Sequence, residues 1–519
     1  MTRRFPERLT PLANRLGLQP LFGDIHNHCA LSYGHGRLED ALARAALQLD
    51  FVSITGHAAW PDMPVDVPEV AHIVDFHVKG FAKLKANWKD HFEALNAFEA
   101  PGRLAVFPGY EIHSSEHGDY TIVYGDLDVA EPELADSPAD LKRALRNAMG
   151  DRALAFPHHI GYRQGARGIN WETFDPELSP FVEMFSMHGC AEESESERSY
   201  LHSMGPVNGA STMRAGLKRG AVFGVVGNTD HHSAFPGSYG HGRMAVYGEG
   251  NSRAAIFAAM RARRSNALTG DNIHLLTAIG DTVQGGITAP SPEATLEIEA
   301  VGGGFIDAIN IIRNGELFER ISPELRPAPI DAGDGATTET ILFVELGWGA
   351  RGKSHEWAGE ISLEGGEITG LEPRFRGAEI VSPLEGDDEA AALPTLRLAD
   401  SRVQFSVTAA ANPNNVTSAT QGFAIRLKAG PGARLKAALS GKRLDIPLDQ
   451  LFEGAVSGNL GPIDSPAYRL HALPLPHQWQ WHGKVALGAL TEGENIYVRL
   501  REKTGQMAWT SPIFCRKEG

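Results

Sequence analysis

Leu21-Phe22-Gly23-Asp24-Ile25-His26-Asn27-His28 is a short apolar run that ends in two histidines one residue apart. In an extended strand alternate side chains share a face, so His26 and His28 are expected to point the same way. Two imidazoles at the end of a strand suit a divalent cation. An isolated His-x-His is more often an ordinary packed or surface pair, so the meaning of this stretch rests on the remaining chain.

Outward from it, short β-rich runs alternate with helical patterns. The strand candidates are Leu21–Ile25, Phe51–Thr55, Leu104–Phe107, Tyr120–Tyr124, Ala153–Phe156, Phe181–Phe185 and Val222–Gly227. Amphipathic segments cover Leu38–Leu49, Val70–Leu95, Ala139–Met149 and Ser252–Arg264. This alternation predicts an α/β fold with a parallel sheet and helical crossovers, closed or nearly closed as a barrel. In such folds chemistry sits at the C-terminal strand ends. Those ends carry His26 and His28, then His57, then Glu111 and His113, then His158 and His159, and finally Asp230, His231 and His232. The sixth strand carries Glu183, with His188 just beyond; both are expected to orient ligands.

Of the 21 histidines only His355, His471, His477 and His482 follow His274. Turn signals and alternating runs become dense beyond that point, which sets a domain boundary near residue 280. Residues 1–280 are read as the barrel and 281–519 as one or two β-sandwich modules. There Asn314-Gly315 is a hairpin signal and Gly365-Gly366 is expected to separate another strand pair. Further runs are Val403–Val407, Phe423–Leu427 and Ile496–Leu500. An exposed linker is expected near 381–394, around the acidic stretch Glu385-Gly386-Asp387-Asp388-Glu389.

A chain of 519 residues exceeds the size at which one core keeps growing. Hydrophobic content of 42% and charged content of 22% are those of a globular protein. A formal net charge of -16 and the lack of a Lys/Arg run leave no footprint for nucleic acid or a membrane. Cys29, Cys190 and Cys515 are too few and scattered for a disulfide framework. No apolar run resembles a signal-peptide core or a membrane span. The expectation is a soluble cytoplasmic protein with a small-molecule substrate; a homo-oligomer is compatible with it.

Asp24-x-His26-x-His28, Thr55-Gly56-His57, Gly109-Tyr110-Glu111, Pro157-His158-His159 and Asp230-x-His232, in that order, resemble the motifs of the PHP (polymerase and histidinol phosphatase) superfamily. The resemblance spans roughly residues 1–275. It is closer to a branch of long PHP-like proteins that includes carbaryl-type carbamate hydrolases, through Val182–Gly189, Asn228–His232, Ala267–Gly270, Tyr497–Arg499 and Ala508–Ile513. It implies a distorted (β/α)7 barrel with two or three divalent ions. His26, His28, Glu111 and Asp230 would hold the first, and Glu111 would bridge to a second completed by His158 or His159 and by His117 or Asp119. A third would take His35, His57 and His232.

Two such ions about 3.5 to 4 Å apart can share a water and lower its pKa towards neutrality. The resulting bridging hydroxide would attack phosphorus or a carbonyl carbon, with Asp230 placed to take a proton. Mixed His/Asp/Glu donors favour zinc, manganese or iron over magnesium or calcium. Arg163 and Arg167, in the loop after the fifth strand, are candidates to clamp an anionic group, with Arg163 named as catalytic. Arg37 and Arg243 are weaker candidates.

Cys29 is read as a small buried residue rather than a nucleophile. His72, His77 and His91 are read as surface residues, and Trp479 and Trp481 as core. The expected activity is therefore a metal-dependent hydrolase of an ester-type bond: phosphoester, carbamate, carboxylic ester or amide. The alternatives are an amidohydrolase-type enzyme, which bridges its metals with a carboxylated lysine, and a non-catalytic metal-binding module.

Overall fold

The computed structural model describes residues 10–129, 131–198, 200, 204–325, 337–378, 392–399, 401–412 and 419–517. The acidic stretch 385–389 and most of the expected linker lie outside the described residues.

All seven expected strands form. They are β1 Gln19–Asp24, β2 Phe51–Ala59, β3 Ala105–Ile112, β4 Tyr120–Tyr124, β5 Ala153–Pro157, β6 Phe181–Ser186 and, after the two-residue β7 Gly189–Cys190, β8 Gly224–Gly227. β9 Arg243–Gly248 and β10 Ser265–Leu268 follow. Every residue of β3, β4, β5 and β6 is buried, which is why these strands read as near-continuous apolar runs. The α-helices before residue 280 are α1 Pro11–Leu16, α2 Leu38–Gln48, α3 Ala71–Phe98, α4 Pro138–Met149, α5 Met213–Lys218 and α6 Arg253–Arg261. Ser137 caps α4 by accepting from the Asp140 N–H, and Ser252 caps α6 through Ala255.

The molecule is mixed α/β, and the expectation of a parallel sheet is met only in part. β1, β2 and β3 pair in parallel. β3–β4, β4–β5 and β1–β9 are antiparallel. The link from β3 to β4 holds no helix, and so short a connection can only reverse the chain. β4 therefore runs against its neighbours, and its first residues lie at the end where β3 and β5 finish. β6 and β8 pair in parallel in a separate three-stranded sheet with β7. A bridge between Asn27 and His231 joins the end of β1 to the segment after β8.

Strands on both sides of residue 280 share the 13-stranded sheet, in which β10 pairs with Met507–Thr510 and that strand with Asn495–Glu502. Leu12 and Ala13 of α1 share a core with Ile298, Ile309, Val485 and Val498. An eight-stranded sheet spans Thr338–Leu346 to Ala467–Leu470. The Asn314-Gly315 hairpin forms as expected between Ile306–Arg313 and Glu316–Ile321. Both turn residues take positive φ, 54° and 81°, as a two-residue turn matching strand twist requires. Gly365-Gly366 is not a turn. It lies within one strand, His355–Pro373, whose pairing slips at Glu364/Gly366, so the glycines accommodate a bulge.

Helix α3 corrects the surface reading of His77 and His91. Its buried residues are His77, Gly80, Leu84, Trp88, His91 and Leu95, a stripe at helical spacing that covers β2 and β3. His72 is exposed, as expected. Trp479 and Trp481 are buried, 1% and 6% exposed.

Candidate metal centre

The segment after β1 is stitched on both sides. Thr55 N–H donates to the Asn27 carbonyl, His28 N–H to the His231 carbonyl, and Asp230 N–H to the His26 carbonyl. Asp24, fully buried, accepts from the Thr229 and Gly237 amides and so holds the loop after β8 against β1. Burial pushes its carboxyl up to about 6 despite those bonds. With the backbone so fixed, His26 and His28 project into one space, their rings 5.2 Å apart.

Glu111 is the centre of that space. Its register partners are His57 on β2 and Thr121 on β4. Oε2 lies 3.3 Å from His26 Nε2, 3.4 Å from His28 Nε2 and 3.5 Å from His57 Nε2. Oε1 lies 3.2 Å from both His113 Nδ1 and His158 Nε2. One carboxylate thus faces two sets of imidazoles with different oxygens. Thr121 Oγ1, 2.9 Å from His158 Nδ1, fixes that ring, and Glu183, 2.9 Å from His26 Nδ1, fixes the other.

Asp230 is placed in the same manner. Oδ1 lies 3.0 Å from His28 Nε2 and 3.4 Å from His26 Nε2, while Oδ2 lies 2.8 Å from His188 Nε2 and 3.3 Å from His159 Nε2. Among the described residues, five triads offer donor atoms close enough to hold a metal ion: His26/His28/Glu111, His28/His57/His232, His57/Glu111/His113, Asp119/His158/His159 and His159/His188/Asp230. Asp119 contacts His113 Nδ1 at 3.1 Å and accepts from Arg167 Nε at 2.8 Å. It stands just before β4, and the reversal of that strand brings it to the end where β3 and β5 finish.

The electrostatics fit cation binding. Burial raises the Glu111 carboxyl, but His57, His158 and His113 outweigh it and hold it well below its ordinary value. Burial likewise raises Asp230, and His26, His188 and His159 overcome it. Asp119 is held at about 2, burial being outweighed by Arg167 and His113. Burial lowers His28, His57 and His159, and with His28 it brings His232 to about 3. Ionised carboxylates and neutral imidazoles are the ligand forms. Burial also opposes charge on His26, yet Glu183 and Asp230 raise it well above the ordinary value, so the carboxylates call for positive charge there.

Of the residues named from sequence, His26, His28, His57, Glu111, His158, His159, Asp230 and His232 converge. His35, His117 and Arg163 fall outside the donor triads. The His35 backbone N–H donates to the His232 carbonyl, and His117 Nδ1 meets Thr173 Oγ1 at 3.3 Å. Arg163 is exposed, whereas Arg167 is buried against Asp119 and 2.9 Å from His113 Nδ1. Arg37 pairs with Asp40 at 3.0 Å, and Arg243 is buried among Gly237, Asn272 and Gln48.

Sequence reasoning placed His113 at the end of the third strand without assigning it to an ion and left Asp119 as an alternative to His117; the absence of a crossover between β3 and β4 was the available signal. It also overlooked Tyr33, whose ring stacks on His57 at 3.6 Å and whose hydroxyl lies 3.1 Å from His113 Nε2. Tyr33 occupies space left by Gly80, where a Cβ would come within 2.3 Å of its ring.

No family model matches the chain. Two curated proteins are similar over 174 residues, an uncharacterised protein of Chlamydia trachomatis at 27% identity and one of Chlamydia muridarum at 26%. Each match takes in 30% of this chain and 28% of the relative, so the chain spans under a third of the relatives' length. Among solved structures, similarity extends to a two-domain protein from Bacteroides vulgatus containing a predicted PHP-like metal-dependent phosphoesterase. That pair has a TM-score of 0.31 and 13% identity, over 86% of this chain and 97% of the other. PsfC from Pseudomonas syringae gives 0.28 and 15%, over 44% and 82%.

Proposed function

We propose that the chain is a metal-dependent hydrolase of the PHP type that cleaves an ester-type bond in a small molecule. The observation that carries this reading is the Glu111 carboxylate, whose two oxygens face separate histidine sets. His26, His28, Glu111 and Asp230 would hold one divalent ion, and Glu111, Asp119 and His158, with His113 beside them, a second. A third would draw on His57 and His232, which approach His28. Bound ions of this kind, zinc, manganese or iron by donor type, supply Lewis-acid activation of water and of the scissile group.

The chain's own residues do the rest. Glu183 and Thr121 orient His26 and His158. Asp230 stays ionised and faces the same space. Arg167, rather than Arg163, is the buried cation of the site, paired with Asp119, and its charge would favour an anionic group. Burial of all these groups excludes bulk water, which strengthens each electrostatic contact. The seven strands β1–β6 and β8 are read as a distorted (β/α)7 barrel with the centre at its mouth, residues 1–280 as one domain and 281–519 as the β-rich region beside it.

Arg167 supports a phosphate ester, and the sequence resemblance to the carbamate-hydrolase branch keeps carbamates, carboxylic esters and amides within the reading. An amidohydrolase-type centre is disfavoured. It needs a carboxylated lysine between its metals, and among the described residues no lysine is buried.

Metal analysis of protein purified without chelator, followed by a panel of nitrophenyl phosphates, carboxylic esters and aryl carbamates, tests the proposal. At least two ions per chain and turnover of one class are expected. Stoichiometric metal with no turnover on any class would instead favour a binding module.

A further inference from the structure

We infer that His159, His188 and Asp230 form an additional divalent-cation subsite on the open side of the centre, joined to the rest through Asp230 as a second bridging carboxylate. The inference rests on the reading of the centre as metal-binding. Asp230 turns Oδ1 toward His26 and His28 and Oδ2 toward His159 and His188. Its two oxygens are thus divided between donor sets as those of Glu111 are.

The contact between Asp230 and His188 admits a simpler reading, a hydrogen bond from imidazole to carboxylate. His188 Nε2 lies 2.8 Å from Oδ2, within reach of such a bond; what points beyond it is that the same oxygen also faces His159 Nε2, so that two imidazoles and one carboxylate oxygen converge. Donor atoms that converge on a common point approach one another without facing one another. Around a tetrahedral ion bound at roughly 2.1 Å, neighbouring ligand atoms stand about 3.4 Å apart. The 3.3 Å between His159 Nε2 and Oδ2 matches that spacing, and all three donor atoms lie within 4.8 Å of one another.

The surroundings prepare His188 for this role. Its Nδ1 is 2.8 Å from the Tyr162 hydroxyl. A proton on Nδ1, donated to that oxygen, leaves Nε2 with its lone pair turned inward. His188 sits at the tip of the β6–β7 hairpin, where Phe185 pairs with Cys190 and Ser186 with Gly189. The Met187 N–H donates to the Thr229 carbonyl, one residue before Asp230. His159 and Asp230 both have φ of 51°, a left-handed backbone uncommon outside glycine, and it is at these residues that the side chains meet. The His188 side chain is 12% exposed, against 0% for His26, His28 and His158. With three protein ligands, one of them shared, an ion here would exchange more readily than those at Glu111.

The test is metal stoichiometry, read by native mass spectrometry and elemental analysis on the full chain loaded with Mn²⁺ or Zn²⁺ and desalted. His188→Ala is expected to lose one equivalent relative to wild type while the remainder stays bound. Tyr162→Phe is expected to keep that ion with affinity weakened by about 10-fold. His188→Asn, which retains a polar side chain, replaces the alanine variant if circular dichroism shows that one unfolded. Unchanged stoichiometry in the His188 variant overturns the subsite and leaves the Glu111 reading intact. A wild-type chain that binds no ion overturns both.

Discussion

Trp509 Nε1 donates to Glu192 Oε2 over 2.8 Å, joining residues 317 positions apart in the chain. The same buried carboxylate accepts from Tyr497 Oη at 2.6 Å and from Arg499 Nη1 at 2.8 Å. Glu192 lies two residues past β7, so the C-terminal strands fasten the hairpin whose tip is His188. The near-terminal segments singled out in the sequence, Tyr497–Arg499 and Ala508–Ile513, therefore act on the centre through one acid. Burial raises the Glu192 carboxyl, but Arg499, Tyr497 and Trp509 bring it below its ordinary value.

Trp509→Phe keeps the ring volume and removes one donor from this carboxylate. Stability is expected to fall by about 1–3 kcal/mol. Hydrogen exchange at residues 186–192 should accelerate more than at β3. Unchanged protection in that hairpin would show that the latch does not hold it.

Arg167 and Arg163 should separate cleanly. Arg167→Met leaves Asp119 buried without its cation, a loss of about 3–5 kcal/mol in urea unfolding. Arg163→Ala, at an exposed position, should stay within about 0.5 kcal/mol of wild type. Equal effects would mean that the guanidinium of Arg167 is not the buried partner of Asp119.

His91 gives a pH signature away from the centre. Burial lowers it from 6.5 to about 4, and neither ring nitrogen has a hydrogen-bond partner. The unfolded chain takes up the proton first as pH falls, so stability is full above 6.5 and is lost progressively down to about 4. At pH 5 the loss from this residue is about 2 kcal/mol. His91→Leu should remove that part of the pH dependence; an unaltered profile between pH 7 and 5 would contradict the assignment.

Cys29 and His26 are neighbours in the motif with opposite expectations. Cys29 is 1% exposed within an apolar cluster with Leu31, Leu42 and Trp88. Cys29→Ala should spare turnover, whereas His26→Ala should abolish metal loading and activity together. Loss of turnover in Cys29→Ala with metal still bound would give the thiol a role it has not been assigned.

The strands and the donor residues at their ends were legible because strand burial and metal chemistry both leave local marks: apolar runs, then His, Asp or Glu. What escaped depended on chain direction. The antiparallel course of β4 brings Asp119, rather than His117, into a donor triad with His158 and His159, and only pairing reveals that. His77 and His91 were misassigned although they share a seven-residue spacing with Leu84 on α3, since histidine alone does not announce burial. Gly365-Gly366 resembles a turn in sequence because a bulge and a turn need the same backbone freedom. The joining of the C-terminal strands to β10 rests on pairings across more than two hundred positions, as Ala267 with Trp509, which no local pattern encodes.

We read Glu111 as standing between two cations. Anomalous diffraction from crystals of the full chain grown with Mn²⁺ or Zn²⁺ reads it directly. Two peaks are expected, one at about 2.0–2.2 Å from Oε2 on the side of His26 and His28, the other at the same distance from Oε1 on the side of His158. A single peak touching only one oxygen, or none beside Glu111, would rule out that bridging role.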